Sequence, residues 1–178
     1  MSDLGFGGYA DVTDPRTRYD DLIEDRSEEQ LDRESFVEAC EMEAFRSGWV
    51  GAGVVVDDAD RVLLVHEPGA DHWLLPGGTI QRGETLAGGL RREIDEEAGV
   101  DVTPVRPHAV AEHVVRHDGE WTGFAVGLIE ARPESTELGT DLGVDDEEID
   151  DAGWFESLPT RTFQRDLATR ALERVRAE

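Results

Sequence analysis

The sequence predicts one domain of the α/β class (α+β), built from several strands and two main helices. Apolar, β-rich runs lie on both sides of a helical pattern at residues 85–98, and a second helical pattern closes the chain. Hydrophobic residues make up 38% of the 178 residues, which is enough for a sizeable core. The elements follow in the order β, β, α, β, β, β, α.

Composition divides the chain into three parts. Residues 1–27 are polar and contain several glycines, as is typical of an extension that is partly disordered. Residues 28–46 predict an N-terminal helix with Ser27 as a cap. Residues 47–178 predict the main domain.

The strands are predicted from their apolar runs and from the turn residues between them. Residues 51–56 and 61–66 form a predicted hairpin around 57–60, and residues 105–117 and 121–131 form another around Asp118-Gly119. In the last of these strands, Gly123, Ala125 and Gly127 alternate with bulky residues, which predicts a bare face that a helix or ligand approaches. A short strand at 152–155 precedes the closing helix at 160–177. The predicted inner residues of that helix are Phe163, Leu167, Ala171, Leu172 and Val175.

The helix predicted from Thr85 to Ala98 is the most informative element. It contains no proline and is followed by Gly99, a residue typical of the position just past a helix end. At roughly 100° per residue, Glu97 projects within about 50° of the centre of the apolar sector and Glu93 lies near its border, whereas Glu96 points away. A solvated acidic face would explain Glu96, but it does not explain an acid on the packed side.

Three acids at positions i, i+3 and i+4 can converge on one hard cation, and carboxylate oxygens suit Mg²⁺ or Mn²⁺. Arg92 lies next to Glu93 and four residues before Glu96, so its planar side chain can hold a ligating carboxylate in place. Glu84 opens the helix, where it can reach a metal or an ordered water. These residues predict a divalent metal site.

The segment from Gly78 to Val100 resembles the box that defines the Nudix family, and the preceding Trp73-Leu-Leu-Pro-Gly-Gly78 resembles the family's entry into it. The matching positions are Gly78, Glu84, Arg92, Glu93, Ile94, Glu96, Glu97, Gly99 and Val100. The resemblance implies an α/β/α sandwich with a mixed β-sheet and a metal-dependent hydrolase of a diphosphate linkage in a nucleoside derivative. It also implies that a backbone carbonyl near Gly77 or Gly78 joins the metal shell.

Further acids are candidates for the general base or an additional metal ligand. By the same resemblance, Glu148 is our first choice and Glu147 our second, against the alternative of a solvated acidic loop. Glu112 is a weaker candidate. Trp73 can stack on a base, but a core position is the competing reading. His113 and His117 are about 13 Å apart on an extended strand, so we do not predict a metal pair there.

The net charge of −25 constrains partners and environment. All 17 basic residues are arginine and the chain has no lysine. Such a surface repels duplex nucleic acid and anionic membranes. It predicts adaptation to concentrated salt, so we expect a halophilic microbe, specifically an archaeon. Cys40 is the sole cysteine, which excludes an intramolecular disulfide; with no membrane-spanning run and no signal peptide, we expect a cytoplasmic protein.

Several functions remain open at this stage. Family marks for dinucleotide, ADP-ribose and NADH hydrolases are missing from residues 115–118, which leaves (deoxy)nucleoside triphosphates or another nucleoside diphosphate derivative as the default substrate. A non-catalytic nucleotide-binding sensor is the main rival, although such modules commonly have eroded boxes. The isopentenyl diphosphate isomerase shares the fold but needs a cysteine within it, and Cys40 lies ahead. In some relatives N-terminal elements form a dimer contact, so a homodimer is an open alternative.

Overall fold

The computed structural model describes residues 6–140 and 149–178. It contains eight strands and four α-helices, preceded by a 3₁₀ turn at Pro15–Thr17. In chain order they are β1 (Ile23–Gln30), α1 (Arg33–Glu41), α2 (Glu43–Ser47), β2 (Trp49–Val55), β3 (Val62–His66), β4 (Trp73–Leu74), β5 (Gly77–Thr79), α3 (Leu86–Ala98), β6 (Val102–His117), β7 (Glu120–Pro133), β8 (Asp151–Phe155) and α4 (Arg165–Ala177).

Two sheets form the middle layer. The larger has the order β1-β6-β7-β2-β5 and is mixed, because β1 runs parallel to β6 and β2 runs parallel to β7, whereas β6–β7 and β2–β5 are antiparallel. The smaller sheet is antiparallel, with the order β4-β3-β8.

Helices α3 and α4 cover opposite faces of this layer. Leu90 and Ile94 of α3 pack with Val55 in one core cluster. A second cluster contains Leu167 of α4 and Val54. Neighbouring residues of β2 therefore point to different helices, as expected for a strand buried on both faces. The predicted mixed sheet between helices is confirmed.

The prediction of an N-terminal helix at 28–46 is wrong at its start, because the first residues of that range belong to a strand. Residues 23–30 form β1, which pairs with β6 from Ile23–Ala109 to Gln30–Arg116. Among these eight residues only Ile23 is buried, so the sequence lacks the two-residue alternation that marks a half-buried strand. The helix begins after Asp32, whose side chain accepts a hydrogen bond from the Ser35 backbone N–H.

The connection between β2 and β3 also differs from the predicted hairpin. A turn does join them, and Val56 bridges to Val62, but the strands continue in different sheets. The hairpin at Asp118-Gly119 is confirmed, and both turn residues have positive φ, 46° and 82°.

The closing helix is shorter than predicted and starts at Arg165. Gln164 has φ 48°, which interrupts the helical phase, and Phe163 ahead of it is 54% exposed rather than internal. The other predicted inner residues are buried: Leu167, Ala171, Leu172 and Val175. No helix of the described ranges combines the length and apolarity needed to cross a bilayer.

Candidate active site

Helix α3 carries the acidic motif and has well-defined ends. The hydroxyl oxygen of Thr85 accepts a hydrogen bond from the Gly88 backbone N–H at 3.0 Å, which caps the first turn. At the other end Gly99 adopts φ 67°, and its N–H bonds the Asp95 carbonyl. The helix predicted from Thr85 to Ala98 is therefore confirmed to within one residue.

The three carboxylates of α3 lie in different environments. Glu93 and Glu97 are buried, with 2% and 4% of their surface exposed, whereas Glu96 is half-buried. This agrees with the helical phase, which places Glu97 on the packed side and Glu96 away from it. Burying two ionised groups is costly unless hydrogen bonds and cations compensate.

The turn before α3 brings backbone against both buried carboxylates. The Gly77 N–H donates a hydrogen bond of 3.1 Å to Glu97 Oε1. A Cβ atom at Gly78 would lie 2.4 Å from the carboxyl carbon of Glu93. Only glycine allows this approach, and a Cβ atom at Gly77 would lie 2.0 Å from the Gly51 carbonyl oxygen, so neither position of the glycine pair has room for a side chain.

Arg92 connects the acids of the site. Its Nη1 donates to Glu93 Oε1 at 2.9 Å and to Glu96 Oε2 at 3.3 Å, and its Nη2 donates to the Thr79 carbonyl at 3.2 Å. Arg92 therefore contacts both Glu93 and Glu96, the two acids that the helical spacing predicts, and its role in catalysis stays a prediction.

The strongest contact of Arg92 is with Glu84, which the sequence did not predict. Nε and Nη2 bind the two oxygens of Glu84 at 2.6 and 2.9 Å in a bidentate pair. Glu84 Oε1 also accepts the Gln81 N–H at 2.7 Å. The hydrogen bonds to Glu84 raise the pKa of Arg92, and those from Arg92 lower the pKa of Glu84. Glu84 therefore anchors Arg92, and its direct ligation of a metal stays a prediction.

Of the remaining candidate acids, only Glu112 lies within the described residues. Glu147 and Glu148 lie outside the described residues. Glu112 is buried, and its Oε1 pairs with Arg16 and Arg26, each at 3.3 Å. These pairs tie the N-terminal segment and β1 to β6, a contact between residues about 90 positions apart that no local pattern reveals.

Trp73 and the strand histidines have structural neighbours. The Trp73 ring packs edge to face on Phe155 with centroids 4.8 Å apart and contributes to the α4 side of the core, which favours the core reading. His113 Nδ1 lies 2.7 Å from Ser27 Oγ, and His117 Nδ1 lies 2.9 Å from the Leu31 carbonyl oxygen.

A cavity of about 600 Å³ lies on the α4 side of the larger sheet and reaches Gly77, whose N–H contacts Glu97. The sheet, α1, α2 and the start of α4 surround it. Phe45 and Phe124 line it and pack edge to face at 4.9 Å, with His113 against both. The sequence did not predict this cavity, because its walls come from nine separate elements. A volume of this size accommodates a nucleoside-sized ligand.

Comparison with known proteins then defines the family. The family model for the NUDIX domain matches residues 49–162. The chain belongs to the Nudix family. Relatives include the mouse 8-oxo-dGDP phosphatase NUDT18, 33% identical over 124 residues that make up 67% of this chain and 36% of that protein. The low-salt glycan biosynthesis protein Agl8 of Haloferax volcanii is 53% identical over 57 residues, 30% of this chain and 36% of that protein. The chain spans about a third of the length of these curated relatives.

Solved Nudix structures agree in fold. A MutT Nudix hydrolase from Burkholderia pseudomallei superposes with a TM-score of 0.54 at 26% identity, covering 71% of this chain and 96% of that one. An ADP-ribose pyrophosphatase from Streptococcus suis gives a TM-score of 0.53 at 20% identity, covering 73% of this chain and 92% of that one. The α/β/α sandwich expected from the sequence is thus shown.

Proposed function

We propose that this Nudix domain hydrolyses a diphosphate linkage in a nucleoside diphosphate derivative or (deoxy)nucleoside triphosphate, with Mg²⁺ or Mn²⁺ as the cation. The observation that carries the proposal is the pair of buried carboxylates, Glu93 and Glu97, held between the Gly77–Gly78 backbone and Arg92. The family membership and relatives described as phosphatases and diphosphatases support it.

The donor set fits a hard divalent cation. Glu93, Glu96 and Glu97 offer carboxylate oxygens from one helix, and the backbone of Gly78 lies against Glu93. Arg92 is shared among Glu84, Glu93 and Glu96, so one guanidinium holds these three carboxylates around it. When bound, the cation neutralises diphosphate oxygens and lowers the pKa of an attacking water.

The protein's own residues have distinct tasks in this scheme. Arg92 fixes the carboxylates of Glu93 and Glu96, and Glu84 fixes Arg92. Glu96 is the most exposed of the three helix acids, so it can meet a water that enters with the substrate. The general base is a carboxylate near the cation, either one of the box or Glu148.

The cavity beside Gly77 supports a nucleoside as the organic part of the substrate. Phe45, Phe124 and His113 offer aromatic surface, and Ser27 and Gln164 offer hydrogen-bonding groups. The charged side chains that line it are mostly acidic: Asp25, Glu29, Glu38 and Glu112, against one arginine, Arg26. A neutral base fits such a lining better than a second anionic group, because like charges repel. The relative described as an 8-oxo-dGDP phosphatase makes oxidised guanine nucleotides the first substrates to test.

The net charge of −25 supports a further part of the proposal, that the protein is adapted to concentrated salt and works in the cytoplasm of a halophilic archaeon. The 57-residue match to the Haloferax volcanii protein points in the same direction. A homodimer formed through the N-terminal elements remains part of the proposal, to be tested by light scattering in molar KCl.

The function is tested by chromatography of the products formed from a nucleotide panel in molar KCl with Mg²⁺ or Mn²⁺, because hydrolysis of the diphosphate linkage yields a nucleoside monophosphate whatever the second product is. We expect turnover of at least one nucleoside di- or triphosphate by the wild type and none by Glu93→Gln. The rival function is a sensor that binds nucleotides without cleaving them. Tight nucleotide binding by calorimetry, with no cleavage product across the panel, would establish that rival instead.

A further inference from the structure

A second cluster of metal-ligating groups lies away from the box, where β6, β7 and the end of α4 meet. It consists of His108, Glu130 and Glu178, each of which offers one ligand atom, and these atoms all lie within 4.8 Å of one another. We propose that His108, Glu130 and Glu178 bind a transition-metal ion of the Zn²⁺ class that secures the end of α4 to the sheet.

The backbone of β6 directs His108 to this place. The register of β6 against β7 shifts between Pro107 and Ala109, so His108 is the extra residue of a β-bulge. A second shift occurs between Pro104 and Arg106. Bulges re-aim a side chain relative to the regular alternation of a strand. Here the bulge turns the imidazole towards Glu130 on the neighbouring strand.

Two of the three ligands are deeply buried. His108 is 1% exposed and Glu130 is 5% exposed, while Glu178 is exposed and leaves the cluster open to solvent on one side. An ionised carboxylate at such a depth needs compensation by hydrogen bonds or positive charge. His108 Nε2 lies at hydrogen-bond distance from Glu130 Oε2, 2.8 Å, and Arg106 Nη1 lies 3.9 Å from Glu178 Oε1 while its Nη2 is bound to Asp21.

The donor spacing is close to that of a bound ion. His108 Nε2 lies 2.8 Å from Glu130 Oε2 and 3.7 Å from Glu178 Oε2. A tetrahedral Zn²⁺ with bonds of about 2.0–2.1 Å sets its ligand atoms about 3.3–3.4 Å apart. All three ligand atoms lie within 4.8 Å of one another, so shifts of at most about 1.5 Å, taken mainly by the exposed Glu178 side chain, complete the site.

The donor chemistry distinguishes this cluster from the box. One imidazole with two carboxylates suits Zn²⁺ and related ions, whereas the all-carboxylate box suits Mg²⁺. The last carbonyl groups of α4, which ends at Ala177, add partial negative charge that favours a cation nearby.

Zn²⁺ retention tests the site directly. The full chain is stripped with chelator, loaded with Zn²⁺ in molar KCl containing excess Mg²⁺ to fill the box, and dialysed before metal analysis. We expect one Zn²⁺ per chain in the wild type and in Glu97→Gln. His108→Gln and Glu178→Gln should each weaken Zn²⁺ binding by at least about tenfold. Circular dichroism verifies that each variant is folded. If replacing the buried His108 prevents folding, the exposed Glu178→Gln variant alone provides the test.

Co²⁺ as a spectroscopic probe gives an independent readout. The wild type should show visible absorption of a four-coordinate ion, and Glu178→Gln should change its intensity and position. Zn²⁺ affinity equal to the wild type in either His108→Gln or Glu178→Gln would overturn the proposal. Loss of Zn²⁺ in Glu97→Gln would also overturn it, because the ion would then sit in the box.

Discussion

Replacing Arg92 with lysine should weaken both folding and catalysis, because the position depends on the shape of the guanidinium and not on charge alone. Arg92 makes five hydrogen bonds, two of them to Glu84 and one each to Glu93, Glu96 and the Thr79 carbonyl. Lysine has three donors on one atom and cannot bind Glu84 in two places while it also contacts Glu93.

The expected magnitude follows from the lost bonds. Hydrogen bonds to charged groups contribute about 1.5–3 kcal/mol each, and a quarter of the Arg92 side chain is exposed, which reduces this. Loss of about two such bonds should lower the free energy of unfolding of Arg92→Lys by about 2 kcal/mol. Arg92→Ala leaves the carboxylates without their shared cation, and about 3–5 kcal/mol is expected. Mg²⁺ should reduce both penalties, because it neutralises the same acids.

Urea unfolding with and without Mg²⁺, in constant molar KCl, measures these differences. In kinetics, a group that orients metal ligands is worth about 10–100-fold, and we expect kcat/KM of Arg92→Lys to fall by that factor. The matched control is Arg91→Lys, an exposed neighbour on the same helix, which should change stability by less than about 0.5 kcal/mol. If Arg92→Lys behaved like Arg91→Lys in both assays, the positioning role would be refuted.

Three further predictions concern the site and the surface. Gly78→Ala should abolish hydrolysis, because its Cβ atom would lie 2.4 Å from the carboxyl carbon of Glu93. The control is Gly53→Ala, whose Cβ atom would lie 2.8 Å from a core side chain. This control should lower the melting temperature but retain turnover. Arg92 depresses the pKa of Glu84 below its ordinary 4.5, so this pair should stabilise the fold above about pH 4.5 and cease to do so as the pH falls through the folded-state pKa. The stability gap between wild type and Glu84→Gln, measured by urea unfolding, should therefore close in acid, and a gap independent of pH would contradict the pairing. In thermal scans the melting temperature should fall as KCl is diluted from molar concentration, because the repulsion within a net charge of −25 is then less screened. A melting temperature that stays flat or rises on dilution would contradict salt adaptation.

The features that could be predicted from the sequence are those with local signals. Helix α3 has a capping residue, a glycine stop and a 3.6-residue period, and these local features alone predict that Glu97 lies on the packed side. The β6–β7 hairpin carries Asp118-Gly119, whose positive φ values match its turn. In both cases the residues that decide the structure are neighbours in the chain.

The features that were missed depend on distant parts of the chain. Strand β1 is almost entirely exposed and exists because it pairs with β6, so its own residues carry no strand pattern. The Asp32 cap with Ser35 was a usable signal for the true start of α1. Phe163 followed the helical phase in sequence, but Gln164 breaks that phase.

Site contacts show the same division. The Arg92 contacts with Glu93 and Glu96 follow from helical spacing, whereas the Glu84–Arg92 pair required the preceding turn to fold back over eight residues. The contact between His108 and Glu130 depends on a bulge in the register of two strands, which composition and periodicity do not reveal.

The central claim is that the buried carboxylates of α3 hold the cation that hydrolysis requires. It is tested most directly by comparing Glu97→Gln with Asp95→Asn, which removes an exposed carboxylate from the same helix. Glutamine can keep the hydrogen bond from the Gly77 N–H, so the fold should persist. With the best substrate and saturating Mg²⁺, kcat of Glu97→Gln should fall by more than about 100-fold, while Asp95→Asn should stay within about twofold of the wild type. Wild-type turnover by folded Glu97→Gln would contradict the account.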